Sequence, residues 1–179
     1  LYGRPYRTRR EGKGMPYHKR KNIRLYGYDY GQAGGYFVTI CTSNRECLLS
    51  RVLPGNKFVR ADVQLTELGC IADRVIHEVS DRTGICLSEY VIMPNHIHMI
   101  LLIPMGETGY TAGEYVGMFK SLTLYHWRDI CNRENRRMGT VWQRNYYEHI
   151  LRNDADYIEK LRYIDGNPDA WCEDELYKE

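Results

Sequence analysis

The chain has 179 residues, of which 43% are hydrophobic and 27% are charged, and its formal net charge is +2. A chain of this length can bury one hydrophobic core, but it is too short for a large barrel enzyme. Because it has no run of eighteen apolar residues and no apolar segment behind its basic N-terminus, we expect neither a membrane span nor a secretory signal, and we expect a soluble, cytoplasmic protein.

Positive charge is concentrated at the N-terminus. Residues 1–24 hold nine Lys or Arg and one Glu, a local charge of +8, so the rest of the chain carries −6. Basic side chains neutralise phosphates, and the tyrosines among them could stack on unpaired bases. A solvated terminus is the alternative interpretation. Residues 1–25 are therefore predicted to form a basic arm, with candidate DNA contacts Arg9, Arg10, Lys19, Arg20, Lys21 and Arg24.

Local sequence patterns predict the elements that follow. Residues 34–42 are rich in β-branched and aromatic side chains behind a glycine pair, which predicts a strand. Apolar residues at helical spacing from Leu65 to Val79, followed by Gly84, predict a first helix, and residues 43–64 carry no assigned element. The later predicted elements are strands at 85–93 and 96–103 joined through Pro94-Asn95, a helix from Ala112 to Cys131, an extended segment at 141–151 and a helix from Asp154 to Asn167.

This order of elements indicates a fold class. The sequence β-α-β-β-α-β with one more helix predicts an α+β protein with a ferredoxin-like (split βαβ) antiparallel sheet and helices packed on one face. Residues 26–170 are expected to form this single domain. Residues 171–179 form an acidic tail, which either is solvated or folds back over a basic DNA groove.

Two histidines interrupt the apolar strand at 96–103. Alternate residues of a strand point to the same side, so His96 and His98 share one face with Ile100, while Ile97 and Met99 share the other. Both faces are predicted to be buried, and a buried polar group needs a partner. Either the two imidazoles share one metal ion, or each forms a hydrogen bond with a neighbouring group.

The last predicted helix carries two polar residues away from its apolar stripe. Tyr157, Leu161 and Ile164 form the stripe, and Tyr163 lies about 120° from it, with Asn167 on the same flank. Pro168 disfavours helical geometry at Asn167. An amide oxygen together with two imidazoles would make a three-ligand site with open positions, which suits Mg²⁺ or Mn²⁺ on a phosphate.

Five segments carry a resemblance to a known family. They are "YDYGQAGGYFVTICTSNRE", "YVIMPNHIHMILLI", "MFKSLTLYHW", "VWQRNYYEHILRN" and "YIDGNP". In order and spacing they resemble the HUH single-tyrosine transposases, and within these the REP-associated tyrosine transposases. The likeness spans about residues 26–168. A Tyr followed four residues later by Asn before Pro fits the REP-associated branch, whereas insertion-sequence relatives have Gln.

The resemblance implies a site and a reaction. His96, His98 and Asn167 would bind a divalent metal, Mg²⁺ or Mn²⁺, and Tyr163 would be the nucleophile on the C-terminal helix of an HUH palm-type domain. The implied substrate is single-stranded or hairpin DNA from repetitive extragenic palindromes in the nucleoid. The implied reaction is cleavage and rejoining through a 5′-phosphotyrosine, without a nucleotide cofactor. The REP-associated branch is expected to act as a monomer.

Further DNA contacts are predicted in two of the matched segments. Lys120 and Arg144 are candidate phosphate contacts, and Tyr146 or Tyr147 could stack on a base. Two other functions stay open from the residues alone. One is a non-catalytic single-stranded nucleic-acid-binding module of the same fold, and the other is a metal-dependent phosphodiesterase that uses activated water.

Overall fold

The computed structural model of the protein describes residues 33–56, 58–106 and 108–177. Six of the predicted DNA contacts lie outside the described residues, together with the whole of the predicted basic arm. They are Arg9, Arg10, Lys19, Arg20, Lys21 and Arg24. None of the described helices is both long enough and apolar enough to cross a bilayer.

The described elements follow the predicted order, with two additional strands. The elements are β1 (Gly34–Cys41), β2 (Ser50–Leu53), β3 (Asp62–Leu65), α1 (Glu67–Thr83), β4 (Cys86–Ile92), β5 (His96–Ile103), α2 (Ala112–Arg133), β6 (Tyr147–Leu151) and α3 (Asp154–Gly166). One four-stranded sheet has the order β4-β5-β1-β6, and each neighbouring pair is antiparallel, which confirms the predicted ferredoxin-like sheet.

The two faces of β5 have different partners. Ile97, Met99 and Leu101 point into the main core, which α1 and α2 cover from one side of the sheet. Ile100 points to the other side, where it packs with Phe37 and with Ile164 of α3. The helix layer predicted on one face is therefore formed by α1 and α2, while α3 covers the opposite face, the one shared by His96 and His98.

Helix α1 begins later than the sequence pattern predicts. Leu65 was assigned to the helix, but it ends β3, which pairs with β2. Thr66 caps the helix, since its hydroxyl accepts a hydrogen bond from the Gly69 amide at 3.1 Å. Gly84 ends the helix in the left-handed conformation, with φ of 67°, as glycine readily does.

The segment predicted to be extended at 141–151 contains a short strand only. Tyr147–Leu151 pairs with β1, and Trp142 makes an isolated bridge to Thr42. Between them the chain forms a loop. The Lys120 ammonium donates hydrogen bonds to the carbonyl oxygens of Gln143, Arg144 and Asn145 in this loop, at 2.8 to 3.3 Å.

The β2–β3 hairpin holds the C-terminal end of α3. Arg60 donates hydrogen bonds to the carboxylates of Asp165 and Asp169 and to the Asp165 carbonyl, and the Ala61 amide donates to Asp169. Each of these ion pairs is exposed and weak alone, but the planar guanidinium joins two carboxylates at fixed geometry. The hairpin therefore contacts the C-terminal end of α3.

A glycine of α1 lies against the backbone just before β2. A Cβ at Gly69 would lie 1.9 Å from the Leu49 carbonyl oxygen, whereas a Cβ at Gly117 of α2 would meet no atom within 4 Å. We expect Gly69→Ala to lower the free energy of unfolding by about 1–3 kcal/mol, because backbone must move. Gly117→Ala should raise it by up to about 1 kcal/mol, because alanine favours helix. Urea denaturation of both variants measures this, and equal stabilities would contradict the packing.

Candidate active site

The two histidines of β5 lie side by side beneath α3. Their ring centroids are 4.4 Å apart, and both side chains are buried. His96 Nδ1 lies 2.8 Å from Asn95 Oδ1, and His98 Nδ1 lies 2.8 Å from Thr39 Oγ1. The Nε2 atom of each ring has no hydrogen-bond partner among the described residues.

Asn95 fixes the tautomer of His96. Its Nδ2 donates to the carbonyl oxygens of Arg45 at 3.2 Å and Leu176 at 2.7 Å, so its Oδ1 must be the atom that faces the ring. An oxygen can only accept, and the proton of His96 is therefore on Nδ1. The Nε2 lone pair is left free to bind a metal.

Burial keeps both imidazoles neutral. It lowers the pKa of His96 to about 4, although the charge of Asp174 and the side chain of Asn167 oppose this shift. The pKa of His98 is lowered well below its usual value by burial and, secondly, by His96. Neutral imidazole is the form that ligates a metal, so the pair is ready for binding at pH 7.

Tyr163 projects from α3 beside the histidines. Its ring centroid lies 5.1 Å from that of His98 and 5.9 Å from that of Phe37, and 45% of the residue is exposed. Partial burial, and then the charge of Asp174, raises the pKa of the Tyr163 phenol. The phenol therefore keeps its proton at neutral pH, and its exposed part is open to a substrate.

Asn167 caps α3 and points into the same site. Its backbone keeps helical angles, φ −60° and ψ −41°, although Pro168 disfavours them, and Asn167 lies at the helix terminus as predicted. The side chain is buried, its Nδ2 donates to Asp174 Oδ2 at 3.0 Å, and its Oδ1 has no partner among the described residues. The structure thus brings together the four residues predicted for catalysis, His96, His98, Tyr163 and Asn167.

Asp174 is a member of the site that the sequence analysis missed. The chain turns after Asn167, and a 3-10 helix (Trp171–Glu173) places Trp171 in a buried position, with its ring 5.9 Å from that of His96. Cys172, Glu173, Glu175 and Tyr177 of this segment are exposed, whereas Trp171 is buried. No sequence pattern separates Asp174 from the other acidic residues around it, because its position depends on the turn.

The donor atoms fit a metal ion. Nitrogen atoms of His96 and His98 and a carboxylate oxygen of Asp174 all lie within 4.8 Å of one another, so these residues could hold one ion. The partnerless Oδ1 of Asn167 adds an amide oxygen beside them. Imidazole nitrogen with carboxylate and amide oxygen is a donor set that divalent metals accept.

The remaining predicted DNA contacts differ in exposure. Lys120 directs its ammonium to three loop carbonyls, and burial lowers its pKa to about 8. Tyr146 packs against the main core, and its hydroxyl donates to Glu148 at 3.1 Å. Arg144 is exposed, and Tyr147, 56% exposed, pairs with Thr39, so its side chain lies on the face of His98.

The fold and the site together define an α+β protein in which side chains that could bind a metal lie between an antiparallel sheet and a helix that carries a tyrosine. Comparison with known families gives the particular group. The chain belongs to the IS200-like transposase family, whose model matches residues 59–167. This confirms the predicted resemblance and the predicted class of enzyme, a DNA transposase. His96, His98, Tyr163 and Asn167 all lie within the match.

Known relatives agree with this membership. An uncharacterized protein of Haemophilus influenzae is 34% identical over 89% of this chain and 94% of its own length. The REP-associated tyrosine transposase of Escherichia coli K12 is 24% identical over 78% of this chain and 68% of its own. The structure of a REP-associated tyrosine transposase bound to a REP hairpin has a TM-score of 0.59 at 21% identity, covers 81% of this chain and 72% of that one, and shows the same fold.

The buried histidines predict how stability depends on pH. In the folded protein the pKa values of both histidines lie below the ordinary histidine value of 6.5. Between about pH 6.5 and 4 the unfolded chain therefore binds more protons than the folded chain. Stability of the metal-free protein should therefore fall as the pH drops through this window. Urea denaturation at pH 7.5, 6 and 5 measures it. The His98→Gln variant, which cannot gain the proton, should show a shallower dependence, and a slope equal to that of the wild type would contradict the assignment.

Proposed function

We propose that this protein is a metal-dependent single-stranded DNA transposase that cleaves and rejoins DNA at palindromic repeat hairpins through a 5′-phosphotyrosine intermediate. One observation carries the proposal. Three buried atoms have no hydrogen-bond partner among the described residues, Nε2 of His96, Nε2 of His98 and Oδ1 of Asn167, and they lie beside the partly exposed ring of Tyr163. This geometry supports one metal and one nucleophile acting on one phosphate.

His96, His98 and Asn167 are the proposed ligands, and Mg²⁺ or Mn²⁺ the proposed metal. When bound, the metal supplies positive charge to a non-bridging oxygen of the scissile phosphate. Asn95 and Thr39 hold the two imidazoles at their Nδ1 atoms, so the ligand nitrogens need little reorganisation.

Tyr163 performs the covalent step. Its phenolic oxygen attacks phosphorus, the bond from phosphorus to the 3′ oxygen breaks, and the phenolic proton passes in net to that oxygen. The products are a 5′-phosphotyrosine and a free 3′-hydroxyl. A 3′-hydroxyl of another strand can then attack the phosphotyrosine and restore a phosphodiester. Because one phosphoester bond replaces another at each step, no nucleotide cofactor is needed.

The proposed substrate is a DNA hairpin with adjacent single-stranded DNA, of the repetitive extragenic palindrome type. The relatives support this, since one is named a REP-associated tyrosine transposase and another was solved with a REP hairpin. Tyr147 on the edge strand could stack on an unpaired base, and Arg144 could contact a phosphate. Lys120 acts through the loop that carries Arg144.

A monomer in the bacterial nucleoid is the proposed acting form. The proposed nucleophile and metal ligands all come from one chain, because α3 packs against its own sheet through Ile164, Phe37 and Ile100. A second copy is not needed to complete the site. Dimers that share active sites would require α3 to leave this position.

The nucleophile is tested by Tyr163→Phe. Wild-type protein with Mn²⁺ and a labelled palindromic oligonucleotide should give a covalent adduct on a denaturing gel, and Tyr163→Phe should give none while still binding the oligonucleotide. Tyr157→Phe is the matched control, because Tyr157 is on the same helix but bonds Ser88 at 2.8 Å. It should keep the adduct.

Other outcomes identify the competing functions. A covalent adduct formed by Tyr163→Phe would contradict the assignment of Tyr163 as the nucleophile. Binding without cleavage in the wild type favours a non-catalytic nucleic-acid-binding module. A free 5′-phosphate without an adduct favours a phosphodiesterase that uses activated water.

The proposed stacking of Tyr147 on a base is tested by measuring the affinity for single-stranded DNA. Tyr147→Ala should weaken binding by about 1–3 kcal/mol, because a base loses its stacking partner, and Tyr147→Phe should retain it. Fluorescence anisotropy with an oligonucleotide measures both. Tyr125→Ala removes an exposed tyrosine of α2, on the other side of the sheet, and should bind as the wild type does. Equal losses in Tyr147→Ala and Tyr125→Ala would contradict a specific contact.

A further inference from the structure

Without DNA, the three proposed ligands leave a metal ion without a counter-charge. His96 and His98 are neutral, and Asn167 offers an amide oxygen, so this set supplies no negative charge. All three side chains are buried. A divalent ion in a buried site is strongly unfavourable unless a nearby anion compensates its charge.

Asp174 is placed to compensate that charge. One of its oxygens lies within 4.8 Å of a ring nitrogen of His96 and of His98. Its Oδ2 accepts from Asn167 Nδ2 at 3.0 Å, and its Oδ1 accepts from the Leu176 amide at 2.6 Å. The carboxylate is thus oriented, and each oxygen keeps a lone pair beyond the one used.

The segment that carries Asp174 is bonded to Asn95, which precedes β5, and to Arg45, which follows β1. Asn95 Nδ2 donates to the Leu176 carbonyl at 2.7 Å, and Arg45 donates to the Glu175 carbonyl at 3.3 Å. On the other side of Asp174, the Trp171 ring packs beside His96. The side chain of Asn95 therefore bonds both the His96 ring, through Oδ1, and the segment that carries Asp174, through Nδ2.

We propose that Asp174 is a direct metal ligand with His96 and His98 and supplies the negative charge of the site. The inference rests on the proposed function, since it concerns the metal used there. The family match ends at residue 167, seven residues before Asp174. The proposed site therefore combines two imidazole nitrogens with a carboxylate and an amide oxygen, a set suited to Mn²⁺.

Mn²⁺ titration of the DNA-free full chain, followed by the electron paramagnetic resonance signal of free Mn²⁺, tests the ligand. Asp174→Asn should lower Mn²⁺ affinity by about tenfold or more, because it removes a ligand and its charge while keeping the size. Glu173→Gln is the matched control, since it removes one exposed carboxylate from the same turn. It should bind within about twofold of the wild type. Equal affinity in Asp174→Asn and the wild type would overturn the proposal.

A second measurement needs no variant and therefore does not depend on the variant folding. In wild-type protein labelled with ¹³C at the aspartate carboxyl groups, bound Mn²⁺ should show a strong ¹³C hyperfine coupling by electron-nuclear double resonance. Absence of this coupling overturns the proposal. Failure of the proposed function would differ, because Mn²⁺ would still bind through Asp174 while no DNA adduct formed.

Discussion

The site is organised by buried polar atoms that have no hydrogen-bond partner within residues 33–56, 58–106 and 108–177. Four such side-chain atoms occur in the described part of the chain, and three of them are Nε2 of His96, Nε2 of His98 and Oδ1 of Asn167. Each unsatisfied buried atom costs about 1–3 kcal/mol, so three together are unfavourable for a structural role alone. Their other polar atoms are all hydrogen-bonded, to Asn95, Thr39 and Asp174. The three atoms that remain are those a metal would use.

Sheet geometry makes this arrangement possible. Strand β5 is central, and its Ile97, Met99 and Leu101 anchor it in the core beneath α1 and α2. Its other face can then carry two imidazoles at rigid positions. Helix α3 covers that face through a small apolar cluster, and Arg60 holds its end from the β2–β3 hairpin. The histidines depend on the large core, whereas the tyrosine depends on the smaller cluster and on Arg60.

The positions of the histidines and of Tyr163 could be predicted from the sequence, because they depend on the periodicity of side chains along a strand and along a helix. Alternation in β5 indicated that His96 and His98 share a face, and helical spacing separated Tyr163 from the Tyr157, Leu161 and Ile164 stripe. The β2–β3 hairpin was missed because its four-residue strands are too short for a clear pattern. Asp174 was missed because its place depends on a turn beyond Pro168 and on contacts with Asn95 and Arg45, which are distant in sequence. Lys120 was predicted to contact phosphate from its charge and its place in a matched segment, and no sequence pattern indicates the three carbonyls that it bonds.

The central claim is that His96, His98 and Asn167 bind one metal ion and that Tyr163 lies beside this ion. Anomalous diffraction from a crystal soaked in Mn²⁺ tests this claim most directly. The account predicts one strong peak within coordination distance of Nε2 of His96, Nε2 of His98 and Oδ1 of Asn167, beside the Tyr163 ring, with Asp174 as the carboxylate ligand. A peak at another place, or a Mn²⁺-saturated crystal with no density between the two imidazoles, would contradict it.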